Sequence, residues 1–308
     1  MKHKLVSRLG KSILAGSTAQ WGSVCALIVA LYPRLSVGMQ VTAPDKPVVH
    51  IGIVVDGPWR FGDDPRAIFE REMIDLLSGT YDVRFEPRHN AEGDWTQEGV
   101  AQAFDRLLAD PDVELIIAGG LMASLYAADR ARSDTLPVPV IAPVVLDPDL
   151  QGLHSRGGSS GLSNFNYLGF PNTISRDLRK FREIVHFERL TILVPRSVRI
   201  PEFPDRVSLT PAGEDVAIDV VSVGDSAQEA LDQFGPEVQA VYLFPLPQLS
   251  KEEVALLAEG LIELKIPSFS FFGGEYVEMG ILAALNTDVF QRLARRVALN
   301  AFDILQGT

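Results

Sequence analysis

The residues of this sequence that could do chemistry fall at breaks between predicted elements. Gly119-Gly120 joins a predicted strand to a predicted helix, and free backbone N–H groups of Gly119, Gly120 and Leu121 could hold a carboxylate or phosphate there. The same pair also fits a tight turn. No GxGxxG motif or P-loop lysine accompanies it, which argues against a nucleotide site. Asp56 closes the first predicted strand and could bind a ligand amine or cap a turn. Trp59 and Phe61 follow in a loop, where large aromatics either line a cleft or pack on their own domain. Asp63-Asp64 reads as a helix N-cap. Pro245-Leu246-Pro247-Gln248 is a stiff segment that could present Gln248 to a cleft, and Phe269, Phe271 and Phe272 suit a core or an apolar lining. Glu275 and Glu278 stand three apart, a spacing open to acid–base work or to a solvated helix face.

Several chemistries lack their residues. No serine sits in GxSxG. The single cysteine, Cys25, excludes a disulfide framework and a cysteine zinc site. The five histidines, His3, His50, His89, His154 and His186, show neither HxH nor HExxH spacing, so neither a metal nor a cofactor is expected. No catalytic constellation stands out, and no enzyme is expected.

The elements that must position these residues alternate. Val48–Asp56 is β-branched and apolar, as a strand buried on both faces of a parallel sheet should be. Further strands are predicted at 83–87, 111–119, 138–146, 190–195, 216–223, 240–244, 268–272 and 281–284. Helices are predicted at 65–78, 96–108, 122–132, 173–187, 226–234, 251–265 and 290–305. Parallel strands need crossovers, so this alternation implies an α/β protein. A Gly-, Ser- and Asn-rich break at 152–171 divides it into two doubly wound parallel-sheet lobes joined by a hinge. Lobe 1 is expected over 44–155 plus 273–308, and lobe 2 over 156–272. Ligands of such sheets gather at the carboxyl ends of strands. That rule selects Asp56–Phe61, Gly119–Ser124, Asp147, Arg196, Pro245–Gln248 and Phe271–Glu275.

The chain has 308 residues, 46% of them hydrophobic, and a net charge of −12, which excludes a disordered chain and disfavours nucleic-acid binding. Residues 1–43 differ from the rest: they hold five basic residues and no acid, with an apolar heart at Val24–Tyr32. This is the pattern of a secretory signal, with cleavage after Gly38 or Ala43. An uncleaved membrane anchor is the alternative. A periplasmic location is expected.

Val138-Pro139-Val140-Ile141, Asp147-Pro148 and Gly152-Leu153 resemble the fourth-strand region of ABC-transporter substrate-binding proteins of the tryptophan/tyrosine-uptake type. The Gly157–Ser163 stretch is similar to that family's Gly-rich turn. Ile266-Pro267 followed by Glu275-Tyr276-Val277-Glu278-Met279-Gly280 resembles its most specific segment, and Arg292, Arg295 and Arg296 with Ile304–Gly307 resemble its closing helix. Order and spacing hold from about residue 48 to 308. The resemblance implies a type I periplasmic binding fold that closes on a small organic ligand, possibly an amino acid, and works beside a membrane permease as a monomer. Backbone donors at Gly119, Gly120 and Leu121 would meet an anionic end. Asp56, Asp147 and Glu275 would meet a cationic end, with Trp59, Phe271 and Phe272 around an apolar body and Gln248 nearby.

The sequence departs from the family at Gly120-Leu121-Met122, where a side-chain hydroxyl is usual, and at the prolines 195, 201, 204 and 211, which disfavour a regular helix in that crossover. Its end at Thr308 precedes a return segment of the family. These departures admit an alternative role as a periplasmic accessory or sensor beside an efflux channel, with the pocket altered or lost.

Overall fold

The computed structural model describes residues 45–60, 64–145, 148, 153, 160–169, 173–197, 216–285 and 289–307. Phe61, Asp63, Asp147 and the prolines at 201, 204 and 211 lie outside the described residues. Lys46–Thr308 forms one compact unit.

Its elements run β1 (Val48–Val55), α1 (Pro65–Leu77), β2 (Asp82–Arg84), a 3₁₀ turn (Pro87–His89), β3 (Asn90–Glu92), α2 (Gln97–Leu108), β4 (Leu115–Ala118), α3 (Leu121–Ser133), β5 (Val140–Val145) and β6 (Phe165–Gly169). Then follow α4 (Thr173–Ile184), β7 (Arg189–Pro195), β8 (Ala217–Val223), α5 (Ala227–Leu231), β9 (Ala240–Leu243), α6 (Lys251–Glu263), β10 (Ser268–Ser270), α7 (Gly274–Glu278), β11 (Ala283–Ala284) and α8 (Val289–Leu305). The expected α/β alternation is present, and every strand pairing is parallel.

Two sheets result. The first has the order β2-β1-β4-β5-β6, with β3 also paired to β1; the second has the order β11-β10-β9-β7-β8. β2 meets the start of β1 and β3 meets its end, so the pair acts as one edge strand interrupted by the 3₁₀ turn. In both sheets the first strand of the lobe therefore lies between its second and third, and the order reverses beside it.

The strands are buried for the reason their composition suggests. Ile51, Ile53, Val54 and the whole of β4 are fully covered by helices on both faces. Phe69, Met73 and Leu77 of α1 pack with Leu293, Val297 and Ala301 of α8 in one apolar cluster, so the last helix returns to the first sheet. Phe165–Gly169, within the segment read from sequence as a break, is the fifth strand of the first sheet's path, and Ala283–Ala284 belongs to the second. Thr96 caps α2 as expected, its Oγ1 accepting from Gly99 N at 3.0 Å, and Asp64 caps α1 by accepting from Arg66 N at 2.9 Å.

A buried polar tie joins strand and helix in the second lobe. Tyr242 of β9 donates its hydroxyl to Asp177 Oδ2 of α4 at 3.1 Å, and both residues are buried. Burial raises the Asp177 carboxyl above its ordinary range, and Arg176 on the same helix and the Tyr242 hydrogen bond offset this only in part. Tyr242→Phe removes the donor and is expected to cost about 1–2 kcal/mol in urea unfolding, since it leaves a buried acceptor short of a partner. An unchanged midpoint would show that the tie carries no stability.

Candidate ligand site between the lobes

The reversal of strand order beside β1 and β4 opens a crevice at their carboxyl ends, and the reversal beside β7 and β9 opens another. The two crevices face one cavity of about 120 Å³. From the first lobe it is lined by Asp56, Gly57, Trp59, Trp95, Gly119, Gly120, Leu121 and Val144. From the second it is lined by Pro195, Ser197, Phe244, Pro245, Pro247, Phe271 and Phe272, and α8 adds Phe290 and Leu293. The walls are overwhelmingly apolar. The volume approaches the ~150 Å³ of apolar cavities that admit a benzene-sized guest.

Aromatic rings bridge the lobes. Trp59, in the loop after β1, meets Phe272 of the second lobe edge-on with centroids 6.3 Å apart, and meets Phe290 at 5.8 Å. Phe272 also meets Phe271 at 6.0 Å. Leu121 and Val144 of the first lobe pack into the second lobe's cluster around Phe181, Phe244 and Phe271. The lobes are thus in contact around the cavity, and Arg60 N reaches Pro247 O at 3.5 Å.

Asp56 is the charged centre of the site. Its carboxylate Oδ2 accepts from Met122 N at 3.0 Å and Oδ1 accepts from Ala123 N at 2.8 Å. Gly120 is the N-cap residue of α3, so Asp56, just after β1, supplies the capping oxygen that glycine lacks. Burial pushes its pKa up to about 6, against the amides of Met122, Ala123 and Leu121, which favour the charged form. The carboxylate offered to a ligand amine and the helix amides offered to a ligand carboxylate are therefore engaged with each other. Gly119 N is likewise committed, donating to Val54 O at 2.7 Å. An anionic ligand end accordingly finds the first turn of α3 already occupied.

Gly120 makes this contact possible. A Cβ there would stand 2.0 Å from Asp56 Oδ1 and 2.2 Å from its Cγ. Gly57 serves Trp95 in the same way: a Cβ at 57 would fall 2.6 Å from the indole ring. Trp95 itself is held in a left-handed backbone conformation (φ 64°), with its N–H donating to Asp56 O at 2.9 Å. Its indole Nε1 is buried beside the cavity with no hydrogen-bond partner. Strain of this kind in a bulky residue persists only where the surroundings hold it.

Of the residues selected from sequence, Asp56, Trp59, Gly119, Gly120, Leu121, Phe271 and Phe272 line the cavity. Gln248 and Glu275 do not. Gln248 is buried, and its Nε2 donates to Val223 O at 3.2 Å and Gly224 O at 3.1 Å, tying its loop to the end of β8. Glu275 is exposed on α7, whose inward residue is Tyr276. Asp147 lies outside the described residues. Sequence reasoning missed Trp95, Phe244 and Phe290. Trp95 follows a short edge strand that carries no hydrophobic pattern, and Phe290 reads only as the first turn of a helix.

No protein-family model matches the chain, and no curated protein does. Solved structures do. An ABC-domain protein from Streptococcus pneumoniae in complex with L-Trp is 17% identical, with a TM-score of 0.60 over 84% of this chain and 85% of the other. The branched-chain amino acid transporter substrate-binding protein LivJ from Streptococcus pneumoniae, with isoleucine, is 13% identical, with a TM-score of 0.57 over 82% of each. A type 1 periplasmic binding protein from Bordetella pertussis Tohama I is 16% identical, with a TM-score of 0.54 over 77% of this chain and 66% of the other. The fold is that of the type I periplasmic binding proteins. In this type I fold the two lobes repeat one strand order, and the cavity occupies the place where their reversals meet.

Proposed function

We propose that the chain is an exported solute-binding protein of an ABC transporter, holding a small organic ligand between its lobes and handing it to a membrane permease. The observation that carries this reading is the cavity lined from both strand-order reversals at once, a position from which one guest touches both lobes. Recognition without turnover suits the walls: besides Asp56, the charged residues on them are Asp64 and Arg66, and these two are paired with each other. The L-Trp and isoleucine of the similar structures are amino acids with apolar bodies, and an apolar body is what Trp59, Phe271 and Phe272 would enclose. The Trp95 indole N–H, buried on the wall without a partner, would hold its polar end. The acid-free, basic N-terminal segment supports export; among the described residues no helix is long and apolar enough to cross a membrane.

A thermal-shift panel of amino acids and small amines on the full chain tests the proposal. A true ligand at ~100 times its dissociation constant adds about 2.7 kcal/mol to stability. Two of the chain's three tryptophans, Trp59 and Trp95, line the cavity, so the same ligand is expected to change intrinsic fluorescence. A panel without any stabilising compound would count against solute binding and favour the accessory role.

A further inference from the structure

His50 and His89 are 39 positions apart in the chain, and the parallel pairing of β1 with β2 and β3 brings them together. His50 lies in β1, about 20 Å along the strand from Asp56 and so far from the interlobe cavity. His89 ends the 3₁₀ turn between β2 and β3 and is fully buried. Their rings meet edge-on with centroids 5.7 Å apart. Glu86, just before the turn, places Oε1 3.3 Å from His50 Nδ1. Asp110 places Oδ2 3.4 Å from His89 Nε2.

His50 Nδ1 and both ring nitrogens of His89 are buried without a hydrogen-bond partner. A buried histidine normally satisfies at least one nitrogen, because an unmade bond there costs about 1–3 kcal/mol. One donor atom from each of His50, Glu86 and His89 lies within 4.8 Å of the others. Tetrahedral Zn²⁺ with bonds near 2.0–2.1 Å holds its ligand atoms ~3.3 Å apart. The His50–Glu86 separation already has that value. The surroundings are acidic: Asp112 and Glu114 stand close by, the latter accepting from His50 N at 3.0 Å. One cation competes. Arg88 pairs with Glu86 at 2.7 Å and Asp112 at 2.7 Å.

We propose that His50, Glu86 and His89 form a site for one zinc-class divalent ion, with water completing the coordination. Two neutral imidazoles and a carboxylate suit Zn²⁺ better than the oxygen-preferring Mg²⁺ or Ca²⁺. The ion would pin the start of β1 to the 3₁₀ turn. The site is independent of the ligand cavity, so its fate does not decide the solute-binding proposal.

The test is Zn²⁺ titration of the untagged full chain against a competing chelator, with the bound metal quantified. One equivalent is expected. Because His89 is fully buried and its replacement endangers folding, the variants are His50→Gln and Glu86→Gln, both at partly exposed positions. Each is expected to weaken Zn²⁺ at least tenfold, while Arg88→Ala, which removes the competing charge, tightens it. Absence of stoichiometric binding overturns the proposal. So does full-strength binding in both His50→Gln and Glu86→Gln, which would move the metal to His3, His154 or His186.

Discussion

Asp56→Asn is expected to flatten a pH dependence of stability that the natural chain shows between about pH 4 and pH 6. The Asp56 carboxyl titrates near pH 6 in the folded protein and near 3.8 when free. Its folded pKa is raised, so the native state holds the proton more tightly than the unfolded chain. Stability from this group is fullest below about pH 3.8, falls as pH rises through the window, and levels off above about pH 6. The total amounts to about 3 kcal/mol, because a carboxyl whose pKa differs by one between the folded and free states contributes about 1.36 kcal/mol. Asparagine does not titrate. Its carbonyl accepts from one α3 amide while its NH₂ faces another donor, a mismatch of about 1–2 kcal/mol at every pH. Urea midpoints of both proteins at pH 4, 5, 6 and 7 read the difference directly. The gap between them should narrow, and then reverse, as pH rises. Parallel curves would mean that burial does not govern Asp56.

The second large effect concerns Gly120. A methyl group there meets the Asp56 carboxylate at 2.0 Å. The φ of Gly120 is −113°, which any residue adopts, so the whole penalty is steric. The carboxylate must leave, and the amides of Met122 and Ala123 then lose their acceptor inside the protein. Overpacking costs about 1–3 kcal/mol and each stranded amide about as much again, so Gly120→Ala should destabilise by more than ~3 kcal/mol. A double-mutant cycle isolates the cause. In an Asp56→Ala background the methyl group meets empty space, and most of the Gly120→Ala penalty should vanish. Additive effects would show that the glycine is needed for some other reason.

This pairing also marks where sequence reasoning stopped. The strands and helices were legible because burial on both faces leaves β-branched runs such as Val48–Asp56, and because Thr96 and Asp64 announce helix starts chemically. The strand-end rule then selected most of the cavity's first-lobe wall. It could not say that Asp56 and the start of α3, each a credible anchor for a ligand, would bind each other. That contact depends on the spacing of β1 and β4 in the sheet, which no local pattern encodes. β6 was hidden for a related reason: Phe165–Gly169 is an edge strand with only Phe165 buried, and its Asn and Gly neighbours read as loop. The approach of His50 to His89 has no linear signature, because parallel pairing joins residues distant in sequence.

The cavity between the reversals carries the functional account. Val144, partly buried on its wall, offers a way to fill it while leaving Asp56 and the bridging aromatics unmutated. Calorimetric titration of the best compound from the stability panel into the natural chain and into Val144→Phe, each shown to unfold cooperatively, is the decisive measurement. Affinity should drop at least tenfold in the filled variant; equal affinity in both proteins would contradict a ligand held between the lobes.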